Sequence, residues 1–178
     1  MNSHITVFES HNPKLKRRIS EYLELIFNNS SDSFLNAQVL TRFLWTATED
    51  SDSEERVKYL GQPYWSKNAI IHYQNQNTGR KRKNFTDLRH DHSVPKIIIY
   101  QKIMNLTEAN RKIKSTEIFE ILDKFAHAVV ITKEEDKRLK EVGLNQKLPD
   151  DLKITTRYSQ ANIEIVYVKD TDLKEIQF

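Results

Sequence analysis

Leu15, Ile19, Tyr22, Leu23, Ile26 and Phe27 recur at the i, i+4, i+7, i+8 spacing that lines one face of a helix. Asn12 followed by Pro13 supplies a start for it: an Asn side chain accepts from an exposed helix donor, and proline at the first helical position loses no hydrogen bond. Asn28-Asn29-Ser30-Ser31 closes the helix, and a second is expected from Asp32 or Ser33 to about Trp45, carrying Phe34, Leu35, Leu40, Phe43 and Leu44. With so short a polar turn between them, the two should lie antiparallel. Further on, Ser66 reads as the cap of a helix holding Ala69, Ile70 and Tyr73, which fades through polar residues 74–78 to Gly79. Ser93-Val94-Pro95 repeats the pattern of cap and helix start. Ile97, Ile98, Ile99, Ile103 and Met104 would bury that element, although three consecutive isoleucines also suit a strand. Ser115 opens another helix, with Ile118, Ile121, Leu122 and Phe125 as its apolar face.

Residues 126–132 form the clearest strand pattern, short and β-branched, and 163–168 form a second with Ile163, Ile165 and Tyr167 on one face. Thr132-Lys133-Glu134-Glu135 has the capping-box spacing, so a helix should begin there and end at Gly143. Residues 5–8 alternate weakly and are a candidate short strand. The expected fold class is therefore α+β, a helix-dominated single domain with a small β-sheet, in which 126–132 and 163–168 are free to pair across the helix that connects them. Within residues 1–178, an N-terminal helical hairpin 1–48 and a main α+β part 56–178 would be joined by 49–55, an acid- and serine-rich stretch without an apolar face.

Composition narrows the chemistry. No cysteine occurs among the 178 residues, which removes disulfide scaffolds, thiolate metal sites and Cys nucleophiles and makes a cytoplasmic setting the simplest reading. Three glycines leave no phosphate-cradling loop of the P-loop or dinucleotide type. No apolar run approaches the roughly 20 residues of a membrane helix, so no membrane partner is expected. Met1 to Ser10 lack the basic flank and apolar centre of a signal peptide.

Charge then picks out one place. The chain carries 28 Lys and Arg against 25 Asp and Glu, a net of +3. Six of those bases (Arg80, Lys81, Arg82, Lys83, Arg89, Lys96) and only two acids (Asp87, Asp91) fall within 80–96, so this segment carries +4 and the remainder −1. Consecutive bases repel one another, and contact with phosphates relieves that repulsion with release of counterions. Phe85 and Tyr73 offer faces on which unpaired bases stack. An acidic protein surface would satisfy the same charge, and so would the acidic stretch 49–55.

The same segment ends in Arg89-His90-Asp91-His92-Ser93-Val94-Pro95. In an extended backbone His90 and His92 share one side and Asp91 faces away, which makes a His–His metal pair geometrically reasonable. Asp91-His92-Ser93-Val94-Pro95 resembles the D-H-x-x-P segment that opens the core of the His-Me finger (HNH) nucleases. That resemblance implies His92 as the general base that activates water and Asp91 as ligand to a divalent metal, Mg or Mn; the His–His spacing adds His90 as a further candidate ligand. It also implies an Asn in the following loop, a range in which Asn105 and Asn110 lie. A structural reading competes: Asp91 pairs with Arg89 or with backbone amides, and Ser93 caps the next helix. The segment 89–96 and Thr132-Lys133-Glu134-Glu135-Asp136 are together similar to small proteins of bacterial genomes and mobile elements, which implies a part in phage or plasmid conflict.

The leading expectation is a non-enzymatic cytoplasmic protein of bacterial or phage type. It would bind nucleic acid, or an acidic or nucleic-acid-handling protein in the manner of an anti-defence inhibitor, through Arg80, Lys81, Arg82, Lys83, Phe85, Arg89 and Lys96, with no cofactor. One alternative is a metal-dependent endonuclease using His92 and Asp91. Another is a protein-interaction module without nucleic-acid affinity.

Overall fold

In the computed structural model the described residues are 12–48, 59, 62–76, 85–107, 112–149 and 154–168. They form seven helices and four strands, the helix-dominated α+β class. The weak strand pattern at 5–8, the acidic stretch 49–55 and Gly79 lie outside them. No described helix is long and apolar enough to cross a membrane. The chain divides into two compact units, each built from separate stretches of sequence: Phe8–Val57 with His92–His127, and Met1–Val7 with Lys58–Asp91 and Ala128–Phe178.

The first unit is helical: α1 (Pro13–Asn29), α2 (Ser33–Thr48), α4 (Lys96–Thr107) and α5 (Ser115–Phe125). Local chemistry sets the starts. Asn12 holds a left-handed backbone (φ 55°), which Asn tolerates, and its Oδ1 accepts from the Leu15 N–H at 3.4 Å. Asp32 Oδ1 accepts from the Leu35 N–H at 3.0 Å, so Asp32 caps α2. The apolar stripe of α1 buries Ile19, Leu23 and Phe27, α2 contributes Leu40 and Leu44, α4 Ile99 and Ile103, and α5 Ile118 and Leu122. α1 packs on both α2 and α5, and α4 on both of those as well. The N-terminal helix pair is thus completed by residues more than forty positions downstream. Two polar clamps fix α1 to the start of α5. Asn28 exchanges two 2.9 Å hydrogen bonds with the backbone of Ile113, and Glu24 Oε2 accepts from the Ser115 N–H at 2.7 Å.

The second unit holds β1 (Tyr64–Ser66), α3 (Lys67–Gln74), β2 (Leu88–His92, whose last residue belongs to the helical unit), β3 (Ala128–Thr132), α6 (Lys133–Glu141), α7 (Ile154–Gln160) and β4 (Ile165–Tyr167). The sheet order is β2-β3-β1-β4. β1 runs parallel to β3, with Trp65 opposite Val130, and antiparallel to β4, with Tyr64 opposite Tyr167. The expected pairing of 126–132 with 163–168 is therefore corrected: β1 lies between them. Three residues, Tyr64-Trp65-Ser66, are too few to show an alternation, and all three are buried. Helix α7 carries no apolar periodicity over its seven residues and was not legible in the pattern.

The parallel pair β1/β3 places two helix starts side by side. Ser66 ends β1 and accepts from the Ala69 N–H at 3.0 Å; Thr132 ends β3 and accepts from the Glu135 N–H at 3.2 Å. Glu135 returns the capping-box bond to the Thr132 N–H at 2.8 Å and accepts as well from the Ser66 hydroxyl and from Asn68 Nδ2. One buried carboxylate thus serves the electropositive ends of both α3 and α6. The chain reverses after α6 at Gly143 (φ 72°), where the Leu144 N–H reaches the Leu139 carbonyl at 2.8 Å.

Candidate functional site

Arg80, Lys81, Arg82 and Lys83 lie outside the described residues. The residues flanking them do not. Phe85 stacks on Tyr59 (ring centroids 5.2 Å apart) and on Tyr73 (6.1 Å), and all three belong to the core cluster around Trp65 and Val130. Tyr73 lies in the last turn of α3 and Phe85 just before β2. The Phe85 ring is thus packed against both tyrosines, and Tyr73 meets Trp65 edge-on as well.

β2 alternates as an extended segment should. Leu88, His90 and His92 are buried, Arg89 is exposed and Asp91 is half-buried. The guanidinium of Arg89 is held at the surface, its Nη1 donating to the carbonyls of Leu88 (2.8 Å) and Thr86 (3.2 Å). Lys96 is placed differently. It is half-buried in the helical unit with Nζ 4.7 Å from the centre of the Trp45 ring, and burial pushes its pKa down. His92, in the same unit, meets Trp45 edge-on at 5.0 Å. The Ser93 hydroxyl and N–H both donate to the His127 carbonyl, at 3.1 and 3.0 Å. This corrects the expectation that Ser93 caps α4.

Both acids of the basic segment are committed to bases outside it. Asp91 takes a two-pronged contact from Arg157, whose Nη1 and Nη2 reach Oδ2 (2.5 Å) and Oδ1 (3.3 Å), and it accepts from the Tyr158 hydroxyl at 2.7 Å. Arg157 is wholly buried and donates its Nε to the Leu144 carbonyl at 2.9 Å. Burial works against its charge, but the neighbouring Tyr158 and Asp91 outweigh that and raise its pKa. Tyr158 is raised well above the usual phenol range, first by burial and then by Asp91. Asp87 accepts from Lys133 Nζ at 3.0 Å, and its backbone carbonyl accepts from the Lys133 N–H at 2.9 Å. Its pKa is lowered chiefly by Lys133, with smaller contributions from His72 and Arg89.

The pairing of Asp91 with Arg89 entertained from sequence is thus replaced by Arg157. In this geometry Asp91 is the counter-ion of a buried guanidinium, and His90 and His92 are buried strand residues. Among the described residues no three His, Cys, Asp or Glu side chains form a group that could hold a metal ion. Asn105 is exposed on α4, Asn110 lies outside the described residues, and a helix begins at Lys96, directly after Pro95. His127 is buried, Glu135 is the shared cap described above, and Tyr64 and Trp65 are core residues.

Sequence reasoning missed the partners Lys133, Arg157 and Tyr158. They stand 46, 66 and 67 positions from the acids they serve. No local spacing signals such a pair. Comparison of the chain with protein-family models, with curated proteins and with solved structures finds no match.

Proposed function

We propose that this protein binds nucleic acid through the basic segment that begins at Arg80, with Arg80, Lys81, Arg82, Lys83 and Arg89 as the phosphate-contacting bases. One observation carries the reading: the ion pair that each acid inside the segment makes is with a base from outside it. Asp87 is matched by Lys133 and Asp91 by Arg157, each from another part of the chain. The two acids that the local count subtracts from the segment's six bases are thus each engaged by a base from elsewhere in the chain. The proposed set leaves out Lys96, whose Nζ lies over the Trp45 ring, and Phe85, which stacks on Tyr59 and Tyr73.

Lys and Arg set against a phosphate backbone give affinity without sequence preference, and that affinity falls steeply with salt. The test replaces Arg80, Lys81, Arg82 and Lys83 together by Ala and follows binding of a labelled oligonucleotide across a salt series. The slope of log K against log salt should drop by about 3 if four phosphate contacts are lost. Equal affinity and equal slope in the two proteins would overturn the reading. Absence of any retention on DNA or heparin at low salt would favour a protein-interaction module instead.

A further inference from the structure

Asp87 occupies an unusual position on the sheet unit. β2 and β3 are neighbours, and the Lys133 N–H to Asp87 carbonyl bond, 2.9 Å long, holds the residue just before β2 against the residue just after β3. Above it, Lys133 Nζ sits 3.0 Å from the Asp87 carboxylate, both side chains remaining about half exposed (41% and 51%). A second base lies beside the same carboxylate: Arg89, on the exposed face of β2, has its Nη1 held by the carbonyls of Thr86 and Leu88 on either side of Asp87. Two separate elements, the start of α6 and β2, thus bring basic groups to a single half-exposed anion.

The acids nearby do not fill the same role. Glu135 is buried and turned to Ser66 and Asn68, and Asp136 is bound by Lys140 at 2.6 Å.

We infer that Lys133 and Arg89 form a phosphate-contacting surface that Asp87 occupies in the unbound protein, and that a nucleic-acid phosphodiester displaces the Asp87 carboxylate from it. This rests on the nucleic-acid reading above and deepens it, adding Lys133 as a contact and Asp87 as a built-in competitor. The chemistry is a simple exchange. An exposed ion pair is weak because water screens it, so Lys133 can trade one anion for another with little loss. A phosphodiester brings its charge together with that of its neighbours along the strand, and each contact made releases a counterion. Asp87 sets a threshold that a lone anion does not overcome and a polyanion does.

The experiment measures binding of a fluorescein-labelled 20-nucleotide single strand and of the matching duplex by anisotropy, using the full chain across a salt series. Compared with the unaltered protein are Asp87→Asn, Lys133→Ala, and Glu141→Gln, the last as an equal change of net charge at another exposed acid of the sheet unit. Asp87→Asn should tighten binding about 3- to 10-fold at low salt, and Lys133→Ala should weaken it by a similar factor with a salt slope shallower by about one contact. Glu141→Gln should change it less than 2-fold, on the order expected of screened, distant charge. If the unaltered protein binds and the Arg80–Lys83 replacement abolishes binding, yet Asp87→Asn and Lys133→Ala match the unaltered protein, this inference fails and the nucleic-acid reading stands. If the unaltered protein binds neither oligonucleotide, both fail. If Asp87→Asn tightens binding of a labelled poly-glutamate peptide but not of either oligonucleotide, the surface takes an acidic protein and the inference is overturned.

Discussion

Arg157 in the sheet unit and Lys16 in the helical unit are both cations with no accessible surface (0% each), and the two units treat them in opposite ways. Arg157 is met by both oxygens of Asp91 and by the Leu144 carbonyl, so every arm of its planar fork that these bonds use has an acceptor. Lys16 Nζ, on α1, has no hydrogen-bond partner. Burial lowers its pKa from 10.5 to about 8, with Asp123 of α5 pulling weakly the other way. His127, buried in the same unit, is depressed from 6.5 to about 4, first by burial and then by Lys16, against the opposing influence of Asp123 and Lys124. A satisfied buried charge holds a fold in one arrangement, whereas one without a partner stores unfavourable free energy that pH can release. The sheet unit, which carries the candidate interface, is fixed by the first device. The helical unit carries the second.

Breaking the satisfied pair should have the largest effect. Arg157→Ala leaves Asp91 without its cation and should lower unfolding free energy by about 3 to 5 kcal/mol in urea titrations. Replacing both partners with apolar residues, Asp91→Leu with Arg157→Met, should recover much of that loss. Equal stability of Arg157→Ala and the unaltered protein would show that the contrast between the units is not energetic.

The next effect lies in the helical unit and runs with pH. Lys16 has a folded pKa below its unfolded value, so the unfolded chain binds more protons between about pH 8 and 10.5, and stability rises with pH across that window. Lys16→Met should therefore stabilise the protein by about 2 to 3 kcal/mol at pH 7, an advantage that fades above pH ~10. His127 works at the acid end. Its contribution is complete above 6.5 and is lost as pH falls towards 4, because the unfolded state takes the proton first. Urea midpoints measured from pH 4 to 10.5 should show both slopes, and His127→Gln should flatten the acid one alone.

The smallest effect tests the shared cap. Thr132→Ala removes the acceptor for the Glu135 N–H while leaving Glu135 bound to Ser66 and Asn68, and should cost about 1 kcal/mol. A loss several times larger would mean that the two helix starts depend on each other.

Much of the local structure was legible before any coordinates. Asn12-Pro13 starts α1, Ser66 caps α3, Thr132 and Glu135 form the capping box of α6, and residues 88–92 alternate with both histidines on one side. Each of these rests on residues no more than about four apart, where side-chain oxygen and backbone donor are brought together by the chain itself. β1 was not legible, because three buried residues give no period, and its absence from the pattern misplaced β4 beside β3. Ser93 has the composition of a cap, but the tertiary fold offered its hydroxyl the His127 carbonyl instead. Phe85 followed four bases and looked free to stack; its ring instead closes an aromatic cluster with two tyrosines from other segments.

By itself, then, the sequence determined the starts of α1, α3 and α6, the alternation of β2 and the location of the excess positive charge at 80–96, since all three depend on neighbours along the chain. Only the tertiary structure decided which charges are neutralised. Lys133 and Arg157 reach Asp87 and Asp91 because β2 lies beside β3 and α7 packs within the same unit, and such pairs form between residues whose separation in sequence carries no signal. Electrostatic compensation acts through space at a few ångströms, so a count of charges along the chain locates the basic segment but cannot say what balances it.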